Sequence, residues 1–367
     1  MEDKQKNESR TEMDGETDLS QGHLEKVLEH YPFTIQNIRL KSSRSGRTIW
    51  EVETDAGTKI LKQAEMKPSR MLFIADSHLH LQQNGLPITT LHQTNSGGYC
   101  IGAGDYAYVL YDKVEGQEMI YYNVDQLRLA LEFAAKFQQA SKGFNAIEGG
   151  KPRGRLGKWH KLYRWKLQEL EGNKQIAQSF PGDAFSVMFL AHVDNMLERG
   201  KQALIDLDKP FYTDWVKQVI DEKSFCQQDF TFARLVEFNS EAFMKELHSV
   251  TYDLPVRDIR IILNKVMKKM SVWDHDLVIH MLQSYDAINP LTEDNYRVLW
   301  TDVSFPHLFC SIAHKYYLGQ KTSWSDEKYI WALQNIIAVE ESKEEFMQNF
   351  SDIVSEIKKN SGGKKNG

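Results

Sequence analysis

The sequence is poor in cysteine, and this shortage limits the kind of protein it encodes. Three cysteines, Cys100, Cys226 and Cys310, occur in 367 residues. They are too few and too far apart for a zinc site, and their odd number argues against a disulfide framework. We therefore expect three buried thiols in a chain made in a reducing cytosol.

Long apolar runs are also missing. No stretch approaches the roughly 20 apolar residues that a transmembrane helix requires. Residues 1–21 are polar and lack the apolar core of a secretory signal. We therefore expect no insertion into a membrane. The formal net charge of -6 does not by itself indicate nucleic acid or an anionic membrane as a partner.

What is present is the composition of a globular protein, with 41% hydrophobic and 26% charged residues. The length suits two lobes that each bury a core. The division that we predict is a disordered N-terminal tail (1–21), a first lobe (22–116), a second lobe (117–357) and a flexible tail (358–367).

The first lobe has the pattern of a small antiparallel sheet with one helix. Residues 48–54 alternate between apolar and polar side chains, Asp55-Ala56-Gly57 predicts a turn, and residues 59–62 return as the second strand of a hairpin. Residues 69–84 carry apolar side chains at helical spacing and end at Asn84-Gly85. Two further strands are predicted at residues 98–101 and 106–111.

The second lobe is mainly helical. Residues 125–141, 156–172 and 185–207 repeat apolar side chains with a period of 3.6. Strand-like stretches at 225–238 and about 244–252 interrupt the helices, which resume at Val256. The expected fold class is therefore α+β, in two lobes.

Three groups of residues resemble the CotS family of Bacillus-type spore-coat proteins. They are residues 156–159 with Tyr163, residues 251–259, and Trp273-Asp274 followed by 290–293. The similarity runs from about residue 52 to about 321. It implies a bilobal protein-kinase-like fold of the aminoglycoside phosphotransferase type. It also implies synthesis in the mother-cell cytoplasm, deposition on the spore coat, and other coat proteins as partners, without nucleic acid.

The most specific part of the resemblance is Asp253-Leu254-Pro255-Val256-Arg257-Asp258, a proline-restricted turn between two carboxylates. We interpret Asp253 and Asp258 as structural. Asp258 can cap the following helix or pair with Arg257 or Arg260.

The resemblance also indicates where a nucleotide would bind. Phosphoryl transfer from ATP needs a lysine on the third strand, and Lys62 stands at that place. The alternative is that Lys59 and Lys62 are ordinary solvated strand lysines. The predicted helix at 69–84 has Asp76 as its only acidic residue, and its short side chain makes a poor partner for Lys62.

The phosphate-covering loop would lie between the first two strands, at residues 42–47. Only Gly46 there allows close approach of backbone amides to phosphate. Arg44 and Arg47 offer charge-assisted hydrogen bonds to an anion instead.

The family's catalytic loop reads His-x-Asp, with an asparagine five residues beyond the aspartate. Here Asp229 remains as a candidate base, Gln227 replaces the histidine, and Arg234 replaces the metal-binding asparagine. A guanidinium cannot coordinate a cation. Alternatively, Arg234 takes over the electrostatic role of the metal and stabilises phosphate directly.

The second metal-binding position is altered as well. The family's Asp-x-Asp corresponds to Glu246-Leu247-His248. Glu246 retains oxygen ligands, but its longer side chain moves the carboxylate outward. His248 suits a transition metal better than Mg²⁺, and a lone histidine is more often simply hydrogen-bonded.

Two functions follow from this pattern. The first is a structural or assembly protein of the spore coat, a pseudokinase that needs no cofactor. The alternative is a phosphotransferase that uses ATP and Mg²⁺ to modify a sugar, amino-sugar or choline-like hydroxyl, with Asp229 as the base.

One further segment carries aromatic and basic residues together: Trp159, Tyr163 and Trp165 with Lys158, Lys161 and Arg164. Such a set can form a stacking surface for nucleic acid or sugar. We favour a helix whose aromatic residues pack the lobe and whose cations face water.

Overall fold

A five-stranded antiparallel sheet forms the first lobe. The computed structural model describes residues 22–44, 46–321 and 323–362, so the predicted tails at 1–21 and 363–367 lie outside the described residues. The strands run in the order β1-β2-β3-β5-β4. They are β1 (Ile35–Arg44), β2 (Arg47–Thr54), β3 (Gly57–Glu65), β4 (Ile101–Ala103) and β5 (Tyr106–Asp112). The predicted hairpin is confirmed as β2 and β3, joined by the turn at residues 55–56.

Two helices cover this sheet, one on each face. Helix α1 (residues 22–28) was not predicted, whereas α2 (Pro68–Gln83) matches the predicted helix. Successive side chains of β5 point to opposite faces of the sheet, so that they pack in turn against α1 and α2. Tyr108 and Leu110 lie in the cluster with α1, and Val109 and Tyr111 lie in the main core with α2.

The second lobe contains ten helices in the described part of the chain and one small sheet. The strands β6 (Gln117–Glu118), β7 (Leu235–Phe238) and β8 (Glu241–Met244) pair in that order. The helices are α3 (Val124–Ala140), α4 (Trp159–Gln178), α5 (Ala184–Leu207), α6 (Pro210–Glu222), α7 (Val256–Met270), α8 (His275–Asp286), α9 (Glu293–Ser304), α10 (His307–Tyr317), α11 (Asp326–Gln348) and α12 (Phe350–Gly362).

Helices α4 and α5 cross closely in the segment inserted between α3 and the small sheet. Gly200 of α5 faces Leu167 of α4, and a Cβ at Gly200 would overlap the Leu167 side chain. The glycine therefore permits the approach of the two helices.

Several sequence predictions need correction. The strand predicted at 98–101 forms as β4 at Ile101–Ala103, and Cys100, predicted as a buried thiol, is only half-buried. Helix α4 begins at Trp159 instead of residue 156, after a turn in which Gly157 has a positive φ of 71°. The strand-like stretches at 225–238 and 244–252 yield only the short hairpin β7–β8 and isolated bridges. The flexible tail predicted from 358 is wrong for residues 358–362, which belong to α12, because Lys358 bonds the buried Asp286 at 2.9 Å.

No helix within the described ranges is both long enough and apolar enough to cross a membrane.

Candidate nucleotide cleft

The lysine of the third strand lies in a buried ion pair between the lobes. Lys62 is only 1% exposed, and its Nζ lies 3.2 Å from Oε2 of Glu246, which follows β8. Burial lowers the pKa of Lys62 to about 8, although Glu246 acts in the opposite direction. Lys59 is also buried and pairs with Asp112 at 2.6 Å. Neither residue is a solvated strand lysine.

Glu246 accepts from a second cation of the first lobe. Nη2 of Arg47 donates to Oε1 of Glu246, so that each carboxylate oxygen already has a cationic partner. Burial would raise the pKa of Glu246, but Lys62, Arg47 and Arg234 together lower it to about 2. The carboxylate is therefore ionised at neutral pH and neutralised by side chains of the protein.

The loop between β1 and β2 is a tight turn. Gly46 has a φ of 73°, a backbone conformation that favours glycine. Its carbonyl accepts from the backbone N–H of Glu65 at 2.7 Å, which fixes the turn to the end of β3. Arg44 lies opposite Arg47 in the strand register and is exposed. Of the two arginines, the structure brings Arg47 to Glu246.

The candidate base Asp229 lies between two cations. Its side chain is 51% exposed, and its Oδ1 accepts from Nζ of Lys265 at 2.7 Å. Nη2 of Arg234 lies 3.5 Å from Oδ2. Partial burial would raise the pKa of Asp229, but Lys265 and then Arg234 lower it below the usual value. A carboxylate held in this way is a weakened general base.

Lys265 was missed by the sequence analysis. It lies on α7 and also donates to the carbonyl of Phe230 at 2.7 Å. The helix carries four other cations, Arg257, Arg260, Lys268 and Lys269, and nothing in the sequence pattern distinguishes the one that faces the loop.

The loop before Asp229 is held by Asp258. The backbone N–H of Gln227 donates to Oδ2 of Asp258 at 2.7 Å. The side-chain amide of Gln227 is buried, and within the described part of the chain neither its oxygen nor its nitrogen has a hydrogen-bond partner. Gln228 follows with a φ of 68°.

The predicted roles of Asp258 therefore need correction. Asp258 holds the loop before Asp229, whereas Arg257 pairs with Asp253 at 3.1 Å and Arg260 pairs with Asp302 at 3.0 Å. The physical reason is that the backbone N–H of a buried loop needs an acceptor.

His248 stays uncharged near this cluster. Burial, followed by the charges of Lys62 and Arg234, lowers its pKa to about 3. Its Nδ1 is buried, and the described residues offer it no hydrogen-bond partner.

These residues do not fit a Mg²⁺ ion. Hard cations require several oxygen ligands, but both oxygens of Glu246 are engaged and Arg234 places a positive charge beside them. In the described ranges, no group of three or more His, Cys, Asp or Glu residues is arranged to hold a metal.

One cavity between the lobes adjoins the ion pairs. Its volume is about 170 Å³, whereas sites for small ligands usually measure about 300–1,000 Å³. Its lining includes Arg47, Ile49, Ile60, Ala233 and Glu246.

Two segments that carry the family resemblance meet behind the cleft. Nε1 of Trp159 donates to Oδ1 of Asp253 at 2.7 Å. Oδ1 also accepts from the backbone N–H of Leu254, while Oδ2 faces Arg257. Burial raises the pKa of Asp253 to about 6 despite these partners. All of these contacts of Asp253 are within the protein and none is directed into the cleft.

The fold and the cleft define a bilobal protein of the kinase-like class. The chain belongs to the family described as "Spore coat putative kinase YutH", which matches residues 29–350. It is 58% identical over 335 residues to Spore coat protein S of Bacillus subtilis (strain 168), covering 91% of this chain and 95% of that protein. The predicted family is confirmed.

Solved structures confirm the predicted fold class. An aminoglycoside phosphotransferase from Alicyclobacillus acidocaldarius has a TM-score of 0.76 at 17% identity, covering 90% of this chain and 96% of that one. A microcompartment-associated aminopropanol kinase has a TM-score of 0.58 at 12% identity, covering 90% and 98%. At these identities the likeness shows the fold alone.

Proposed function

We propose that this chain is a structural or assembly protein of the endospore coat whose kinase-like cleft does not transfer phosphate. Support for the coat comes from the 58% identity to a spore coat protein and from the family description. In this proposal the chain is made in the mother-cell cytoplasm and deposited on the spore, and its partners are other coat proteins.

The observation that carries the loss of catalysis is the double pairing of Glu246. A metal ion at this position would have to displace Lys62 and Arg47 from the two oxygens. It would also approach Arg234, whose charge acts directly on Glu246. Like charges at short range in a poorly solvated site repel strongly, so that the cleft selects against Mg²⁺. The proposal therefore includes neither ATP nor Mg²⁺ as a cofactor.

Thermal unfolding with ATP, with and without Mg²⁺, tests this directly. A ligand at one hundred times its Kd stabilises a protein by about 2.7 kcal/mol, which shifts the melting temperature by several degrees. We expect no metal-dependent shift at millimolar ATP. A clear stabilisation that requires Mg²⁺ would overturn the proposal.

Deposition on the coat is tested in cells. A fluorescent fusion of the full chain, expressed during sporulation of Bacillus subtilis that lacks its own Spore coat protein S, is expected to form a ring around the spore. A signal that remains diffuse in the mother cell would contradict the coat assignment.

The second candidate is a phosphotransferase acting on a small alcohol. It is favoured by the half-exposed Asp229 and by Lys62 at the expected strand position. In this case ATP consumption with amino-sugar or choline-like acceptors must be measurable and must disappear in Asp229→Asn. Absence of turnover in the wild-type chain excludes this function.

A further inference from the structure

Residues 151–166 form a basic segment in a chain whose net charge is negative. The segment contains seven cations and no Asp or Glu, although the whole chain carries a formal charge of -6. We call it the basic surface; its cations are Lys151, Arg153, Arg155, Lys158, Lys161, Arg164 and Lys166. Five of the seven are exposed, and only Arg155 and Lys166 are half-buried.

The cations of the basic surface are not neutralised locally. Among the ion pairs of the described residues, none joins one of these seven cations to a carboxylate. Lys158 donates to the carbonyl of Gly154 at 2.9 Å, and Lys166 lies 3.2 Å from Nδ1 of His307. The carboxylate of Asp208 contacts this stretch through His160, at 2.9 Å. The positive charge is therefore available to a partner.

Arg155 is the most favourable anchor on this surface. Its backbone N–H donates to the carbonyl of Tyr252 at 2.8 Å, which holds the segment beside the start of α7, where Arg257 lies. Within the part of the chain that is described, its guanidinium makes no ion pair. Burial and the nearby Arg257 lower the pKa of Arg155, although the charge of Asp253 acts in the opposite direction. A half-buried guanidinium gains more from a carboxylate than a fully solvated one does.

The chain itself supplies an acidic segment. Residues 1–21 contain seven acidic and three basic side chains, a formal charge of 3 − 7 = −4. The segment precedes the family match, which begins at residue 29. Twenty-one residues can span at most about 70 Å when extended, and a folded chain of this length has a radius of gyration of about 21 Å. Reach grows with the distance from residue 22, and Glu2, Asp3 and Glu8 each have a tether of at least 14 residues, about 46 Å when extended. These are the carboxylates best able to reach a surface on the other lobe.

We propose that residues 2–18 dock on the basic surface of the same chain through ion pairs, with a carboxylate on Arg155. Tethering favours this partner over a separate acidic protein, because a linked segment is present at an effective concentration in the millimolar range.

Zero-length cross-linking of the full-length protein with a carbodiimide tests the contact. We expect carboxylates of residues 2–18 to be joined to Lys151, Lys158 or Lys161 in the monomeric fraction. Exposed lysines elsewhere on the second lobe, Lys201 and Lys217, are the internal control. Cross-links spread equally over these control lysines, or found only between molecules, would overturn docking within one chain.

A binding experiment provides the second test. A labelled peptide of residues 1–21 is added to the full-length wild-type chain and to a full-length variant whose own acidic segment is neutralised. The variant carries Glu2→Gln, Asp3→Asn, Glu8→Gln and Glu12→Gln, which removes the carboxylates with the longest tethers. We expect the peptide to bind the variant at least tenfold more tightly, because the wild-type surface is already occupied.

Charge reversal on the neutralised variant identifies the surface. Arg153→Glu, Lys161→Glu and Arg164→Glu together are expected to abolish peptide binding. The matched control, with reversals at exposed positions elsewhere, is expected to retain it; it combines Lys201→Glu, Lys217→Glu and Lys328→Glu. Equal binding to wild type and neutralised variant, or equal loss in both reversal sets, would contradict the proposal. Tighter binding of a DNA duplex than of the peptide would contradict it as well.

Discussion

Nζ of Lys62 and Oε2 of Glu246 lie 3.2 Å apart although they belong to different lobes. In protein kinases, the lysine of the third strand pairs with a glutamate on the helix of its own lobe. Here Asp76 of that helix accepts from the backbone N–H of Ile147 at 2.8 Å instead. The strand lysine has thus become part of a connection between the lobes.

Breaking this connection is expected to destabilise the protein. Glu246→Gln leaves the buried Lys62 and the adjacent Arg47 without their carboxylate. Removing one partner of a buried ion pair typically costs about 3–5 kcal/mol, and urea unfolding measures this loss. Glu293→Gln, which removes the exposed partner of Arg297, is the matched control and is expected to cost about 0–1 kcal/mol. Equal effects of the two substitutions would show that the buried pair does not support the fold.

His248 is expected to make stability depend on pH. Burial and the charges of Lys62 and Arg234 lower the pKa of His248 to about 3 in the folded chain, against its ordinary value of 6.5. Between these values the unfolded chain binds one more proton at this residue, so that stability falls as the pH is lowered from about 6.5 toward 3. One proton corresponds to about 1.4 kcal/mol per pH unit.

The substitution His248→Gln is expected to reduce the slope of the free energy of unfolding against pH in this window. Denaturant unfolding at pH 4, 5, 6 and 7 measures it, with His30→Gln at an exposed position as the control. An unchanged slope in His248→Gln would show that the pKa of the ring is the same in the folded and the unfolded chain, which would contradict the prediction.

The hydrogen bond between Trp159 and Asp253 is expected to stabilise the second lobe. Trp159→Phe removes the donor and leaves the buried Asp253 with one bond fewer, at a cost of about 1.5–3 kcal/mol. Trp165→Phe, six residues further along α4 at a site that is 53% exposed, is expected to change stability by less than about 0.5 kcal/mol. An equal loss of stability in the two variants would show that the hydrogen bond between Trp159 and Asp253 does not stabilise the second lobe.

The crossing of α4 and α5 provides a test of packing. Gly200→Ala places a methyl group against Leu167 and is expected to cost about 1–3 kcal/mol. Gly172→Ala, also in a helix but with open space around the new Cβ, is expected to stabilise by about 0.5–1 kcal/mol. Thermal unfolding of both variants distinguishes crowding from backbone effects, because the two shifts should have opposite signs.

Local patterns were sufficient for most of the first lobe. The hairpin of β2 and β3 could be predicted because alternation and the turn at residues 55–57 are both local signals. Helix α1 was not predicted, because it is short and has few apolar residues. Two of them, Leu24 and Leu28, are buried only because they pack against the sheet. The predicted end of the second lobe at residue 357 falls short of the end of α12 for a similar reason. The sequence suggests that Lys358 is solvated, but its Nζ donates to Asp286, 72 residues away.

The candidate site shows the same limit. The sequence assigns four residues to separate parts of one phosphotransfer site: Lys62, Arg47, Arg234 and Glu246. In the structure they lie together in one cleft. That Arg47 would bind Glu246 instead of a phosphate could not be predicted, because the two residues are 199 positions apart. Nothing local reveals which cation reaches a given carboxylate.

The inter-lobe ion pairs of Glu246 have a consequence for behaviour at high temperature. Burying Lys62 and Glu246 removes both charges from water, and this penalty falls on heating because the hydration of ions becomes less favourable. The attraction of Glu246 for Lys62 and Arg47 does not fall in the same way on heating. The connection between the lobes should therefore contribute more to the fold in hot water than in cold.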